Sequence, residues 1–129
     1  MDVLQRREPH YDASARALSI ALRQDPAPVV PVHHVTTLYY LLERHAGNAS
    51  AMAVIDWLLD RFDIAACDKP SLRQARNAEF SDYEDAVTST LARTSGCAVI
   101  LTRNVADFSR STVPARTPTD FLARLPGGM

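Results

Sequence analysis

The chain has 129 residues, a formal net charge of −1 and a composition that is 47% hydrophobic and 22% charged. That length fits a single domain spanning 1–129, and the apolar content excludes a disordered chain. No apolar run approaches the about 20 residues of a membrane span, and the start, Met1-Asp2-Val3-Leu4-Gln5-Arg6-Arg7, lacks the order of a signal peptide, so the expected compartment is the cytoplasm.

The near-neutral charge carries no broad basic field of the kind that marks nucleic-acid binders. Lys69 is the only lysine among the cations. The arginines suit bidentate phosphate contact, although an Arg- and Ala-rich composition equally reflects base composition. Cys67 and Cys97 lie in short apolar stretches and read as buried free thiols. Their surroundings show no zinc spacing.

Residues from about Tyr11 to Gln24 read as a helix, with Ala15, Leu18 and Leu22 on one face. Asp25-Pro26 ends it. Val29, Val30 and Val32 suggest a short buried strand, and Pro31 stops it. Val35, Leu38, Leu41 and Leu42 mark a second helix, closed near Gly47. Ala51, Val54, Ile55, Leu58, Leu59 and Phe62 form the stripe of a third, with Asn48 or Ser50 as its cap. Trp57 lies off that stripe and reads as partly buried or as part of an interface.

Ile64 to Cys67 reads as a strand, and Pro70 opens a short helix. Ser81-Asp82-Tyr83-Glu84 has capping-box form, with Ser81 as N-cap and Glu84 as its partner. The helix it opens carries Tyr83, Ala86, Val87, Thr90 and Leu91 on one face and ends at Gly96. Cys97 to Leu101 is the most strand-like run in the chain. Thr112-Val113 suggests a last strand, Thr117-Pro118-Thr119-Asp120 opens a final helix, and residues 126–129 read as a disordered tail. Strands separated by helices imply a parallel sheet with chemistry at the carboxyl ends of its strands.

One such end is Thr102-Arg103-Asn104-Val105-Ala106-Asp107. Asp82 and Asp85, three residues apart, share one side of the preceding helix at its first turn. Two or three converging carboxylates suit Mg²⁺ or Mn²⁺. The same acids also fit helix caps and dipole partners. His33 and His34 precede the second helix and suit either a surface or capping role or contact with phosphate or metal.

The runs Asp82 to Val87 and Gly96 to Phe108 resemble the C-terminal half of PIN domains, and Val113 to Leu122 matches how that family closes. Thr36 to Leu42 looks like the family helix that usually carries a glutamate, with Thr37 in that position. Arg6 to Tyr11 fits the loop between the family's first two helices. The resemblance implies a three-layer α/β/α domain with a central parallel sheet and metal-dependent cleavage of RNA by Mg²⁺ or Mn²⁺. It further implies a toxin held by a cognate antitoxin protein, commonly as a homodimer. By position, Asp85 and Asp107 are the expected catalytic acids, with Asp82 and Asn104 as further metal ligands. Thr37, Thr102 and Arg103 are the expected substrate contacts.

The family's first strand, ending in Asp-Thr-Asn, has no counterpart here. Met1-Asp2-Val3-Leu4 resembles the helix after it, so the chain reads as lacking that strand at its N-terminus. The competing reading is a non-catalytic remnant that binds a protein partner or dimerises. A third is a different small α/β protein, such as a receiver-like domain, which would need an N-terminal acid pair not seen here.

Overall fold

The computed structural model describes residues 11–23 and 28–124. The expectations for the N-terminal loop, for Asp25-Pro26 and for the C-terminal tail lie outside those residues. In chain order the elements are α1 (Tyr11–Ala21), β1 (Val29–Pro31), α2 (Val32–Ala46), α3 (Asn48–Arg61), β2 (Asp63–Ala65), α4 (Lys69–Asn77), α5 (Tyr83–Thr94), β3 (Ile100–Leu101), a 3-10 turn (Val105–Phe108), β4 (Ala115–Arg116) and α6 (Pro118–Ala123).

The chain is an α/β domain whose strands pair in parallel. β1 runs beside β2 with Val30 opposite Ile64, and β3 beside β4 with Ile100 opposite Ala115. Among the described residues the two pairs are separate, with no ladder joining them. Parallel partners need a crossover. For β1 and β2 it is α2 and α3 packed on each other; for β3 and β4 it is the 3-10 turn.

Local chemistry explains the element ends. Pro31 has no N–H to give a ladder, so β1 stops there and Val32 becomes helical. Gly47 closes α2 at φ 88°, a conformation that strains residues with a Cβ. It is also the N-cap of α3, whose first turn has no side-chain cap. The expected cap Asn48 instead donates its Nδ2–H to the Tyr39 hydroxyl at 2.7 Å. Asp68 caps α4 by accepting from the Ser71 N–H, with proline in the first turn. Thr117 likewise caps α6.

Three sequence expectations shift. The strand expected over Cys97–Leu101 narrows to Ile100–Leu101, and the last strand is Ala115–Arg116 rather than Thr112-Val113. In that second case the backbone N–H of Val113 turns onto the Ser111 hydroxyl instead of a ladder. Cys67 and Cys97 are free but half-buried.

α5 is the central helix. Ala86 through Leu91 are all buried, so it is enclosed on more faces than a single stripe provides. Its apolar side joins Ala65, Ala75, Ala86, Val87 and Leu91, with Val29, Cys67 and Phe80 packed against them. A neighbouring core of Ile100, Phe108 and Val113 shares Phe80, whose ring meets Phe108 edge-on at 6.4 Å between centroids. α1 and α6 pack through Ala17, Phe121 and Leu122.

Two buried polar residues of α5, Thr88 and Ser89, have hydrogen-bond partners. Ser89 donates to the Ser111 hydroxyl at 2.7 Å, and Ser111 donates onward to the Val113 carbonyl at 2.8 Å. Leu91, 1% exposed, is the largest fully buried side chain among the described residues. Leu91→Ala is expected to destabilise the fold by about 2–5 kcal/mol, read as a lower urea midpoint in chemical denaturation.

Candidate functional site

The acids gather at the N-terminal end of α5. Its N-cap is Asp82, whose Oδ1 accepts the Asp85 N–H at 2.9 Å. This corrects the expectation that Ser81 caps the helix with Glu84 as its partner. An aspartate caps as well as a serine, and starting one residue later puts Asp85 in the third position. Glu84 is thereby released to another role.

Asp107 stands in the 3-10 turn beyond β3. Its charge reaches Asp85. The Asp85 carboxyl is held above its ordinary value, first by burial and then by repulsion from Asp82, Asp107 and Glu84. The dipole of α5 favours a carboxylate at this position. Asp85 is half-buried, while Asp82, Glu84 and Asp107 are exposed.

The fold holds this spacing without using the acids. Phe108, next to Asp107, is anchored against Phe80 just before α5, and Ser111 is tied to Ser89 in the middle of α5. A cleft of about 270 Å³ opens on the Asp107 side, lined by Phe80, Ser81, Ala106, Asp107 and Arg110 among others. Arg110 faces Glu79 at 4.0 Å. Glu79 has φ 58°, unusual for a residue with a Cβ, at the turn that leads into Phe80.

The other anticipated residues sit as follows. Asn104 is exposed and opens the turn that carries Asp107; its N–H donates to the Thr102 hydroxyl at 3.0 Å, and its carbonyl accepts the Asp107 N–H. Arg103 is exposed between them. Thr37 is exposed on α2 and its hydroxyl donates one turn back to the His33 carbonyl at 3.1 Å. The fold therefore puts Asp82 and Asp85 at the start of α5, Asp107 on the 3-10 turn packed against that helix, and Thr102, Arg103 and Asn104 on the loop leading to Asp107.

A second cluster adjoins the first. His33 Nε2 and His34 Nε2 each lie 3.2 Å from the Thr88 hydroxyl, and His34 Nε2 lies 3.6 Å from Glu84 Oε1. Burial holds both rings below the ordinary histidine value, and His33 presses His34 down further, while Glu84 opposes these effects. At neutral pH the His34–Glu84 contact is thus one between a carboxylate and a neutral imidazole, not an ion pair. Sequence reading weighed the histidines without locating their partners. The available signal was Thr88 four residues after Glu84, on the same helix side.

Among the described residues the group whose ligand atoms all lie within 4.8 Å of one another is His33, His34 and Glu84 rather than the three aspartates. The aspartates offer only oxygen donors, the kind that suit Mg²⁺ or Mn²⁺. No helix among the described residues is long and apolar enough to cross a membrane.

A family model described as the PIN domain matches residues 1–106. Neither the curated proteins nor the solved structures yielded a match.

The raised pKa sets the sign of a stability test. Asp85 binds its proton more tightly folded than unfolded, so this group favours the fold at low pH. That advantage is lost as pH rises from the unfolded value near 3.8 through the raised folded one. In metal-free buffer, Asp85→Asn is expected to raise the thermal midpoint at neutral pH and to change it little below the unfolded value. A lower midpoint at neutral pH argues against repulsion at this position. Asp82→Ala removes the cap and is expected to cost about 1 kcal/mol of stability, read by the same melts.

Proposed function

The chain belongs to the PIN-domain family, and from that membership we propose that it is an endoribonuclease hydrolysing RNA phosphodiesters with Mg²⁺ or Mn²⁺. PIN domains are generally nucleases and typically bind divalent metals. The observation that carries the proposal is the placement of Asp82 and Asp85 in the first turn of α5 with Asp107 on the 3-10 turn that packs against that helix.

In this reading Asp85 and Asp107 are the catalytic acids and hold the metal, with Asp82 and Asn104 beside them. A bound divalent ion supplies an acidified water and neutralises charge developing on the phosphodiester. The residues of the chain do the positioning. Half-burial of Asp85 leaves its carboxylate less hydrated than those of its exposed neighbours. The loop of Thr102, Arg103 and Asn104 offers a hydroxyl, a guanidinium and an amide to the RNA backbone. Thr37 offers a hydroxyl where the family usually has a glutamate, and supplies no charge.

The same reading makes the protein the toxin of a toxin–antitoxin pair, acting in the cytoplasm as a homodimer held in check by its antitoxin. Support for a protein partner comes from an apolar groove between α2 and α3, lined by Val35, Tyr39, Tyr40, Met52 and Ile55. Tyr40 is 64% exposed and Met52 46%, large apolar surface of the kind that marks an interface. This face equally serves the alternative, a catalytically impaired PIN module that binds a protein partner or dimerises.

Purified protein is expected to cleave RNA with Mn²⁺ but not in chelator, and Asp85→Asn and Asp107→Asn are expected to abolish cleavage. Undiminished cleavage by Asp85→Asn overturns the assignment, and an inactive parent chain favours the alternative. Tyr40→Glu with Met52→Glu is expected to lower the sedimentation-derived mass of a dimer without changing the circular dichroism spectrum.

A further inference from the structure

His33 and His34 open α2 directly beyond the end of β1, and α5 faces them with Glu84 and Thr88. The two imidazole rings stand 4.4 Å apart between centroids, tilted by 60°. Ligand atoms of His33, His34 and Glu84 all lie within 4.8 Å of one another. Both Nε2 atoms converge on the one Thr88 oxygen.

That convergence satisfies the hydroxyl but not every ring nitrogen. Thr88 has a single hydroxyl hydrogen, and the Glu84 carbonyl stands 3.1 Å away to accept it. A neutral imidazole carries one N–H and one lone pair. His33 Nδ1 is buried without a hydrogen-bond partner. The two lone pairs of that hydroxyl can accept an Nε2–H from each ring, which still leaves His33 Nδ1 unmatched. The three side chains are spaced so that one cation can accept a lone pair from each ring and from the carboxylate.

We propose that His33, His34 and Glu84 form a binding site for a first-row transition-metal dication of the imidazole-preferring kind, such as Zn²⁺, Co²⁺ or Ni²⁺. Two imidazoles and one carboxylate are a donor set that such ions take and Mg²⁺ does not. The site is separate from the all-oxygen group of Asp82, Asp85 and Asp107. Glu84 joins the two, because its charge acts on both histidines and on Asp85. An ion on the histidines neutralises Glu84 and removes one of the three charges that repel Asp85. The inference stands on the side-chain geometry and does not require nuclease activity.

The test is calorimetric titration of the chelator-treated full chain with Zn²⁺, and with Co²⁺ followed by its absorption spectrum. The parent chain is expected to bind one ion with nitrogen-ligand bands in the Co²⁺ spectrum. His33→Gln with His34→Gln keeps polar side chains in place and is expected to weaken binding by at least about tenfold, the loss already seen when only a ligand's hydrogen-bond partner is removed. Circular dichroism confirms that the variant is folded, and Glu84→Gln supplies a second variant with a smaller perturbation. Asp85→Asn is expected to retain binding. Unchanged affinity in the double histidine variant overturns the proposal, since His10, His45, Cys67 and Cys97 remain to bind adventitiously. Equal loss in Asp85→Asn also overturns it, by assigning the ion to the aspartates.

Discussion

Like charges at the end of an enclosed helix are the constraint around which this domain is arranged. α5 runs through the core with six consecutive buried residues, and its first turn holds Asp82, Glu84 and Asp85. Asp107 approaches from another segment. Left to themselves, four carboxylates separate. They stay together because the apolar packing of Ala86, Val87 and Leu91 below them, and of Phe80 against Phe108 beside them, is cheaper to keep than to break. Stability lives in the body of the helix and chemistry at its tip.

Glu84 gives this arrangement its second dimension. With Asp82 as the cap, Glu84 turns toward the histidines at the start of α2 while its charge still acts on Asp85. The two clusters differ in kind. One offers only oxygens, exposed except for Asp85; the other offers neutral ring nitrogens and a hydroxyl in a more buried setting. Elements from both parallel pairs meet here, since His33 follows β1 and Asp107 follows β3.

Much of this was legible in the sequence, and the limits have physical causes. Pro31, Gly47, Pro70 and Thr117 marked element ends because each acts through its own backbone or side chain. The acids stood out because a three-residue spacing fixes a shared helix side. The cap was misplaced by one residue because Ser81 and Asp82 are comparably good caps, and local preference does not rank them. Strand ends after Cys97 were hard to place because a two-residue ladder leaves little alternation to read. The His33–Thr88 contact spans 55 residues, and no local pattern encodes a contact of that range. Of the expected acids, Asp82 is the cap of α5, Asp85 stands in its first turn and Asp107 on the 3-10 turn packed against it; family membership supplies the PIN domain itself, and nothing in the local pattern distinguished a metal ligand from a cap.

The hydroxyl relay from Ser89 through Ser111 to Val113, together with the Phe80–Phe108 contact, sets how the Asp107 turn sits on α5. These ties are uncharged and largely screened from water. Dissolved salt attenuates repulsion among the exposed carboxylates over about 10 Å at moderate ionic strength, but it has little hold on a buried hydroxyl or a ring edge. The spacing of the acids is thus decoupled from the strength of their repulsion: changing ionic strength alters how strongly Asp85 holds its proton while leaving the geometry offered to a ligand the same.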